Sequence, residues 1–309
     1  MDKGVYDVAI IGGGPAGMTA GIYAGRAHLK ACILEGLSTG GQMFTTAVIE
    51  NYPGYATIDG PGLTQAMEEQ VRKWDVEILY KHITGLKRLS DSFEIQTLGG
   101  EAIHARTVIL AAGSKPRKLN VPGEVEFAGR GVSYCATCDG AFFRGKNVAV
   151  IGGGDSAVEE SLYLTRFVNK VTIIHRRDEL RASKHLQERA FAEPKIEFVW
   201  DSVDEAIEGQ QTVEQLRVKN LKTDTVTNLP VDGVFIYIGM LPNTDFVQGV
   251  VELDPWGYVV AGEDTATSEP GIFAAGDIRT KELRQIVTAV ADGAVAAMAA
   301  ERYLGERGL

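Results

Sequence analysis

The sequence predicts an α/β protein with two domains of the same layered construction, the second inserted into the first. A strand pattern, a glycine-rich turn and a helical pattern occur twice, and residues 148–157 match residues 8–17 at a constant offset of 140. Two turn-rich segments, residues 113–117 and 239–243, bracket the second copy. We therefore expect a first domain from residues 1–114 and 244–309 and a second from residues 115–243. Each would be Rossmann-like, with three layers of the ββα type.

Composition and charge narrow the function classes. The chain has 309 residues, of which 45% are hydrophobic, enough for two domains with proper cores. Its net charge of −10 argues against a nucleic-acid backbone as the main partner. No apolar run approaches the ~20 residues of a membrane-spanning helix, and residues 1–4 lead straight into a strand pattern without a signal peptide. We therefore expect a cytoplasmic protein that binds neither nucleic acid nor membrane.

The first glycine-rich turn has the flanks of a dinucleotide site. Gly12, Gly14 and Gly17 follow a strand pattern and open a helical one, and the next strand pattern ends at Glu35. Glycines in this arrangement let backbone N–H groups approach a pyrophosphate at the positive end of a helix. An acid at the end of the second strand accepts hydrogen bonds from ribose hydroxyls. The first turn therefore predicts a site for a nucleotide with an unphosphorylated adenosine ribose.

The second turn differs at the position that contacts the ribose. It repeats the motif as G-x-G-x-x-A at residues 152–157, and the residue 140 positions after Glu35 is His175. Basic residues follow it: Arg176, Arg177 and Arg181. A carboxylate there would repel a 2′-phosphate, whereas a guanidinium binds one, often through two hydrogen bonds. The second turn therefore predicts NADPH.

A pair of cysteines with redox spacing precedes the second turn. Cys135 and Cys138 form a C-x-x-C motif that is followed by Asp139. A zinc site normally needs four ligands, and the only other cysteine, Cys32, lies far upstream inside an apolar strand pattern that predicts a buried structural thiol. A structural staple is uncommon in a chain of this length without a secretory signal. We interpret the pair as a redox couple and Asp139, which could instead be a simple turn residue, as a candidate for thiol proton transfer.

The remaining patterns are consistent with this layered fold. Alternating residues predict short antiparallel strands over 76–108 and again over 199–230. Helical spacing predicts an amphipathic helix over 64–74 and a long alanine-rich helix over 283–303. Small residues on the long helix allow close packing against another element.

Taken together, these motifs resemble the low-molecular-weight thioredoxin reductases, class II of the pyridine nucleotide-disulfide oxidoreductases. The resemblance runs from Val5 to about Ala300 and rests on GGGPAG, GGQ, ENYPG, CATCDG, GGGDSA, HRRDELRAS and AAGD. Departures are small: Ala112 stands where many members have threonine, and Glu179-Leu180 lies inside the basic motif. The resemblance implies FAD in the first domain, NADPH in the inserted domain, and a homodimer.

The resemblance also assigns roles to particular residues. It implies that FAD is contacted by the first glycine turn, by strand ends and by the start of the last helix: Gly12, Gly14, Pro15, Ala16, Gly17, Glu35, Gly41, Gln42, Asn51, Ala112, Gly113, Gly276, Asp277, Arg284, Gln285 and Ala289. It implies that NADPH is held by the second turn and the basic motif: Gly152, Gly154, Asp155, Ser156, Ala157, His175, Arg176, Arg177 and Arg181. Cys135, Cys138 and Asp139 would be catalytic, with Cys138 both taking electrons from the flavin and starting exchange with the partner. No metal is expected.

The function predicted is NADPH-dependent reduction of thioredoxin, or of a thioredoxin-like protein, through FAD and Cys135–Cys138. A dithiol oxidase that passes electrons from thiols to oxygen would not need the arginines after His175. A redox sensor that binds nucleotides without turnover is the non-enzymatic alternative. A flavoprotein subunit of alkyl hydroperoxide reductase shares the motifs but carries an extra N-terminal domain, which we do not expect here.

The two redox partners of the flavin also predict motion. Nicotinamide and Cys135–Cys138 belong to the same inserted domain, and both must contact the flavin. The reduced thiols must also reach a disulfide on another protein. We therefore expect residues 115–243 to rotate against the first domain in each turnover, with hinges near residues 115–117 and 239–242.

Overall fold

The protein divides into two compact units. The structure, a computed structural model, describes residues 4–46 and 49–309, apart from the side chain of Cys138. One unit contains Met1–Lys115 and Leu241–Leu309, and the other contains Pro116–Met240. The sequence predicted boundaries after residues 114 and 243 and assigned one nucleotide to each domain. That assignment stays a prediction. The predicted α/β class with two Rossmann-like units is confirmed.

The first unit is built from parallel strands, an antiparallel meander and helices. In chain order its elements before the crossing are β1 (Tyr6–Ile11), α1 (Pro15–Arg26), β2 (Ala31–Glu35), α2 (Gly60–Lys73), β3 (Glu77–Tyr80), β4 (Ile83–Arg88), β5 (Phe93–Thr97) and β6 (Ala102–Leu110). The crossing to the second unit is β7 (Ser114–Pro116).

The second unit repeats this construction with a separate antiparallel sheet. Its elements are β8 (Val132–Ser133), α3 (Ala136–Asp139), β9 (Asn147–Ile151), α4 (Asp155–Leu164), β10 (Lys170–Ile174), α5 (Lys184–Ala192), β11 (Ile196–Val199), β12 (Ser202–Gly209), β13 (Val213–Asn220), β14 (Val226–Pro230) and β15 (Gly233–Ile236). The chain returns through β16 (Met240–Pro242) and ends with β17 (Ile272–Ala274) and α6 (Ile286–Glu306).

The sheet of the first unit brings the strand ends that matter to one edge. Its strand order is β3-β2-β1-β6-β5-β4, with β17 pairing β6 in parallel. The long strand β6 gives one edge to β1, while its other edge pairs first with β5 and then with β17. The carboxyl ends of β1, β2, β6 and β17 therefore lie together, where ligands bind in open parallel sheets.

The helices of the first unit pack closely because of small residues. A Cβ on Gly293 of α6 would lie 2.1 Å from the carbonyl oxygen of Ala16 in α1, so only glycine permits this approach. Helix α1 begins at Pro15, which suits the first helical position because its missing N–H would have no partner there. Helix α6 begins with a reciprocal cap between Gln285 and Thr288. The small residues of the alanine-rich helix, which allow close packing, are thus used for it here.

The second unit holds its strand ends in the same way. Its parallel sheet has the order β11-β10-β9-β15-β8, and β12-β13-β14 form an antiparallel sheet. The ends of β8, β9, β10 and β15 therefore meet at one edge. The residues that follow these ends include Cys135, Gly152, His175 and Tyr237.

The two crossings between the units are paired. Strands β7 and β16 form a two-stranded sheet of their own. The sequence predicted these segments as linkers, and the structure places a short strand in each.

Some local predictions were wrong in detail. Strand β3 was predicted to be antiparallel with its followers, but it pairs with β2 in parallel because α2 returns the chain across the sheet. Helix α2 begins four residues before the predicted start, because Asp59 caps it by accepting a hydrogen bond from the Gly62 N–H at 2.6 Å. Among the described residues, no helix has the length and apolar character needed to cross a membrane.

Candidate functional site

The first glycine turn is shaped by two close backbone approaches. Gly12 has a φ of 111°, and a Cβ on it would lie 2.3 Å from the carbonyl oxygen of Ala111. A Cβ on Gly17 would lie 1.8 Å from the carbonyl oxygen of Gly12. Gly14 precedes α1 as its N-cap, and nothing lies within 4 Å of where its Cβ would be. The turn thus presents open backbone at the positive end of a buried helix, which fits a pyrophosphate.

Glu35 is held against this turn by the backbone. One carboxylate oxygen accepts a hydrogen bond from the Gly13 N–H at 2.7 Å, and the other accepts from the N–H of Gly36 at 2.7 Å and of Leu37 at 3.3 Å. A carboxylate offers about four lone-pair sites, so these bonds leave acceptor capacity. Glu35 at the end of β2 can therefore accept ribose hydroxyls beside the turn.

A buried polar cluster supports Asp277 on the other side of the turn. Asp277 lies in a 3₁₀ helix, Gly276–Ile278, and its Oδ1 is buried without a hydrogen-bond partner among the described residues. Burial raises the pKa of Asp277, although the charges of Lys281 and Arg284 oppose this. A buried carboxylate oxygen left without a partner fits a donor supplied by a ligand, as the predicted ribityl hydroxyls would.

The cluster beneath Asp277 was missed by the sequence reasoning. Asp292 in α6 accepts hydrogen bonds from Gly276 N–H at 2.9 Å, from the Arg279 guanidinium at 2.7 and 2.8 Å and from Lys281 at 2.8 Å. Burial raises the pKa of Asp292, but these donors outweigh burial and lower it overall. Asp292 therefore anchors the turn that carries Asp277. Asp292 lies outside the AAGD motif, and nothing in the sequence indicates that the two are in contact.

Predicted flavin residues from distant parts of the chain make contacts within the first unit. Asn51 donates to the Gln285 side chain at 3.0 Å. Gln42 donates to the carbonyl oxygen of Ser114 at 3.0 Å. Arg284 lies 4.1 Å from the ring centroid of Tyr258, and its Nε is buried without a hydrogen-bond partner among the described residues.

The other predicted flavin residues lie on the same elements. Pro15 and Ala16 start α1, Gly41 starts a 3₁₀ helix whose glycine lies near Gly14, and Ala289 is buried in the first turn of α6. The carbonyl oxygens of Ala112 and Gly113 accept hydrogen bonds from Asn243, at 2.8 Å and 3.0 Å. A Cβ on Gly276 would lie 2.9 Å from the Cβ of Ala16, which joins the AAGD turn to α1.

The second glycine turn repeats the first in its backbone. Gly152 has a φ of 144°, and a Cβ on it would lie 2.3 Å from the carbonyl oxygen of Tyr237. Gly154 is the N-cap of α4, and Ala157 is buried in the first turn of that helix. The other two predicted residues, Asp155 and Ser156, start α4, and Asp155 accepts the Ser183 N–H at 2.7 Å.

The basic motif lies beside this turn. The backbone N–H of Arg181 donates to the carbonyl oxygen of Gly153 at 2.6 Å, and a Cβ on Gly153 would lie 2.5 Å from the His175 ring. Burial, then the charges of Arg177, Arg181 and Arg176, lower the pKa of His175. The imidazole is therefore neutral near pH 7, and its buried Nε2 has no hydrogen-bond partner among the described residues.

The three guanidiniums are available to an anion. Arg176, Arg177 and Arg181 are exposed, and none forms an ion pair with another described residue. Asp178, one of the two acids in the motif, is instead paired with Lys222 at 3.1 Å. The arrangement fits a 2′-phosphate on the ribose of a nucleotide bound at the second turn.

The cysteine motif follows β8 at the same sheet edge. Cys135 is disulfide-bonded, and its Sγ lies 3.3 Å from Thr137 Oγ1. The side chain of Cys138 lies outside the described part of the structure. The Asp139 N–H donates to the carbonyl oxygen of Cys135 at 3.1 Å, which closes the one-turn helix α3.

Two hydroxyl side chains that the sequence reasoning missed hold this motif. Ser133 Oγ accepts the Cys135 N–H at 3.0 Å and donates to Asp139 Oδ2 at 2.7 Å. Tyr237 accepts the Ala136 N–H at 2.7 Å through its hydroxyl. Ser133 is two residues before the motif, whereas Tyr237 is a hundred residues away and only the sheet brings it near.

Comparison with known proteins gives a family and several close relatives. The family model described as pyridine nucleotide-disulphide oxidoreductase matches residues 6–293. Thioredoxin reductase of Bacillus subtilis is 48% identical over 308 residues, covering 99% of this chain and 96% of that protein.

Solved structures match over the same length. The crystal structure of Lactococcus lactis thioredoxin reductase in its FR conformation has 50% identity and a TM-score of 0.95, covering 97% of this chain and 99% of that one. Thioredoxin reductase of Streptococcus pyogenes also has 50% identity, with a TM-score of 0.67 over 98% of this chain and 99% of that one. The match to the family model spans more than nine-tenths of the chain, and the chain belongs to the pyridine nucleotide-disulphide oxidoreductase family.

Proposed function

We propose that this chain is an NADPH-dependent flavoenzyme that reduces the disulfide of thioredoxin, or of a thioredoxin-like protein, through Cys135–Cys138. One observation carries the proposal: the disulfide-bonded Cys135 and the arginine-flanked glycine turn follow parallel strands of one sheet, and a second, acid-flanked turn lies in the other unit. An enzyme that transfers electrons from a nicotinamide nucleotide to a disulfide through a flavin needs a redox disulfide and two nucleotide sites. When bound, FAD accepts a hydride from NADPH and passes two electrons to a disulfide.

The first unit would hold FAD through three groups of contacts. The glycine turn from Gly12 to Gly17 would bind the pyrophosphate, and Glu35 would accept the ribose hydroxyls. Asp277, with a buried oxygen that lacks a partner among the described residues, would accept a hydroxyl of the ribityl chain. Arg284 and the Asn51–Gln285 pair would border the flavin ring.

The second unit would hold NADPH through charge as well as shape. The Gly152–Ala157 turn would bind the pyrophosphate at the start of α4, while Arg176, Arg177 and Arg181 would bind the 2′-phosphate. Neutral His175 would pack beneath the adenosine ribose without adding charge. NADH lacks the 2′-phosphate, so these arginines would select NADPH.

The chain's own residues then carry out thiol–disulfide exchange. The Cys138 thiolate would attack one sulfur of the partner's disulfide and release the other as a thiolate, forming a mixed disulfide. The Cys135 thiolate would attack Cys138 Sγ, break the mixed disulfide and release the partner's second sulfur as a thiolate. The internal disulfide closes as the partner gains two electrons, and its two thiolates take up two protons. Asp139, oriented by Ser133, would take or give the proton at the neighbouring sulfur.

Rotation between the units would let Cys135–Cys138 contact the flavin in one state and the partner's disulfide in the other. The paired crossings β7 and β16 support this part of the proposal, because two chain segments lying side by side can bend together as one hinge. Neither crossing is a long flexible loop, so rotation would be guided rather than free. The L. lactis structure is described as one named conformation, FR, which supports the existence of more than one in this group.

A single titration tests the function. The purified protein should be yellow, NADPH should bleach it anaerobically, and oxidised thioredoxin should restore the colour. A dithiol oxidase would instead be bleached by dithiols and restored by oxygen, and a sensor would not turn over. Bleaching by NADPH that oxidised thioredoxin and thioredoxin-like proteins all fail to reverse would overturn the proposal.

Replacement of the cysteines tests the route. Cys135→Ser or Cys138→Ser should abolish thioredoxin reduction while NADPH still bleaches the flavin. Cys32→Ala is the control, because Cys32 is fully buried in β2 and alanine adds no polar group there, and it should keep full activity. Thioredoxin reduction that survives both motif variants would exclude the Cys135–Cys138 route.

An engineered disulfide between the two units tests rotation. The locked enzyme should lose thioredoxin turnover and regain it when the link is reduced. Full turnover in the locked state would show that rotation is not needed. A homodimer and a cytoplasmic location are further proposals from the resemblance, checked by analytical ultracentrifugation and by cell fractionation.

A further inference from the structure

Tyr237 joins the two functional parts of the second unit. Its hydroxyl accepts the N–H of Ala136, the first helical residue after Cys135, at 2.7 Å. Its backbone carbonyl oxygen lies against Gly152, 2.3 Å from where a Cβ would be. One residue thus touches the nucleotide turn with its main chain and the redox motif with its side chain.

The main chain of Tyr237 is fixed by the sheet. It directly follows β15, which lies between β9 and β8. Its N–H donates to the carbonyl oxygen of Ile151 at 2.8 Å, continuing the β15–β9 pairing. The position of the hydroxyl is therefore set by a rigid part of the unit.

The bond from Ala136 is one that the redox motif needs. The first N–H groups of a helix have no partner within the helix, and Ala136 is completely buried. A buried N–H without a partner costs about 1–3 kcal/mol. The Tyr237 hydroxyl satisfies this donor and so fixes the peptide group that links Cys135 to Ala136.

We propose that Tyr237 is a positioning residue for the redox pair: its hydroxyl holds the Cys135–Ala136 peptide so that the reduced thiols stay arranged to close the disulfide. The inference rests on the function proposed above only in treating Cys135–Cys138 as a redox pair. Burial, and to a smaller extent the charge of Glu160, raise the pKa of Tyr237, so the phenol stays protonated across the working range. The Ala136 N–H therefore donates to a neutral hydroxyl, whose oxygen can accept this bond in either redox state.

Loss of the Tyr237 hydroxyl should shift the thiol–disulfide equilibrium toward the state, dithiol or disulfide, that is less restrained without it. In the oxidised motif the disulfide itself restrains Cys135. The hydrogen bonds of Ser133 and Tyr237 are present with the disulfide formed, and in the reduced motif we expect them to supply the restraint instead. Loss of the tyrosine hydroxyl therefore frees the dithiol more than the disulfide, and the equilibrium shifts toward the dithiol.

Tyr237→Phe tests this with the ring retained. The thiol–disulfide ratio of the Cys135–Cys138 peptide, measured by acid trapping and mass spectrometry of holoenzyme in glutathione buffers, should shift up to roughly tenfold toward the dithiol, or about 30 mV. Flavin bleaching by NADPH should be unchanged. The measurement needs no turnover. If the unmodified enzyme failed to reduce thioredoxin, the proposed function would be wrong, but the thiol–disulfide ratio would still test the role of Tyr237.

Tyr134→Phe is the matched control. Tyr134 adjoins Cys135, but its hydroxyl bonds Glu124 at 2.6 Å and not the motif. Its ratio should equal that of the unmodified enzyme. A Tyr237→Phe ratio equal to the unmodified one, or an equal shift in Tyr134→Phe, would overturn the proposal.

A second variant covers the case in which Tyr237→Phe does not fold. Replacement of Tyr237 by 3-fluorotyrosine keeps the ring and hydroxyl but weakens the oxygen as an acceptor. It should shift the ratio in the same direction by a smaller factor, and the Ala136 amide should exchange faster with deuterium. An unchanged ratio or unchanged amide protection would overturn the proposal.

Discussion

The two glycine turns share a backbone and differ in charge. In both, the first glycine has a positive φ, and its Cβ would lie 2.3 Å from a carbonyl oxygen that follows a neighbouring strand, that of Ala111 or of Tyr237. At the end of the second strand, one turn has Glu35, bound by three backbone N–H groups, and the other has buried His175 followed by exposed arginines. The fold therefore sets the backbone of both turns, and in the proposed function the few side chains after the strand would select the ribose.

The helices that follow the turns differ as well. Gly17 in the first turn allows no side chain, since a Cβ would lie 1.8 Å from the Gly12 carbonyl oxygen, whereas the second turn carries Ala157 at this position. Three residues further along each helix, at the same offset of 140, fully buried Ala20 of α1 corresponds to Glu160 of α4. The first helix is thus packed more tightly, and the second has room for a polar group.

The largest effect is expected from adding a methyl group to each first glycine. Gly12→Ala should lose FAD, because the left-handed φ and the 2.3 Å approach to Ala111 both oppose it. Gly152→Ala should keep FAD and lose NADPH-dependent bleaching. Flavin absorbance of the purified variants and NADPH titration measure both. Loss of FAD in both variants would break the assignment of one nucleotide to each turn.

Removal of the guanidiniums should separate the two nicotinamide nucleotides. Arg176→Ala and Arg181→Ala should each lower kcat/KM for NADPH roughly ten- to a hundredfold, since a charged hydrogen bond contributes about 1.5–3 kcal/mol. The value for NADH should change little. Equal losses for both nucleotides would contradict the 2′-phosphate role.

Glu160→Gln should alter the pH dependence of stability. Burial raises the pKa of Glu160 to about 7, and its Oε2 is buried without a partner among the described residues. Glu160 ionises near pH 4.5 in the unfolded chain but only near pH 7 in the folded one. The free energy of unfolding therefore falls as pH rises through this range, by about 1.4 kcal/mol per pKa unit.

The glutamine variant should remove this fall. Its free energy of unfolding, from urea denaturation at pH 5 and pH 8, should exceed that of the unmodified protein at pH 8 by on the order of 3 kcal/mol. Ala20→Gly in α1 is a comparison without a titrating group, and its effect should be independent of pH. A glutamine variant with the same pH profile as the unmodified protein would show that Glu160 ionises normally.

The smallest effect is expected at Lys222. It pairs with Asp178 at 3.1 Å and Asp201 at 2.8 Å, and so keeps the carboxylate next to Arg177 occupied. Lys222 and Asp178 are exposed, and ion pairs between exposed groups contribute little. Lys222→Ala should raise KM for NADPH by at most about fivefold at low salt and by less at high salt. A salt-independent loss would point to a direct contact instead.

Much of the candidate site could be predicted because its signals are local. A glycine turn between a strand and a helix, an acid or arginines at the next strand end, and two cysteines three positions apart each occupy a short stretch. The residues that support them could not be found in this way. Asp292 reaches Gly276 across 16 residues, and Tyr237 reaches Ala136 across 101.

The sequence by itself determined the fold class, the repeat of the nucleotide motif and the charge difference between Glu35 and Arg176–Arg177. Those features depend on residue type and spacing, which a single chain displays directly. Only the tertiary structure decided that β3 is parallel, that the crossings pair, and that Ser133 and Tyr237 hold the cysteine motif. The reason is physical: sheet pairing and the filling of buried hydrogen bonds depend on which distant strands become neighbours, and local periodicity does not specify that choice.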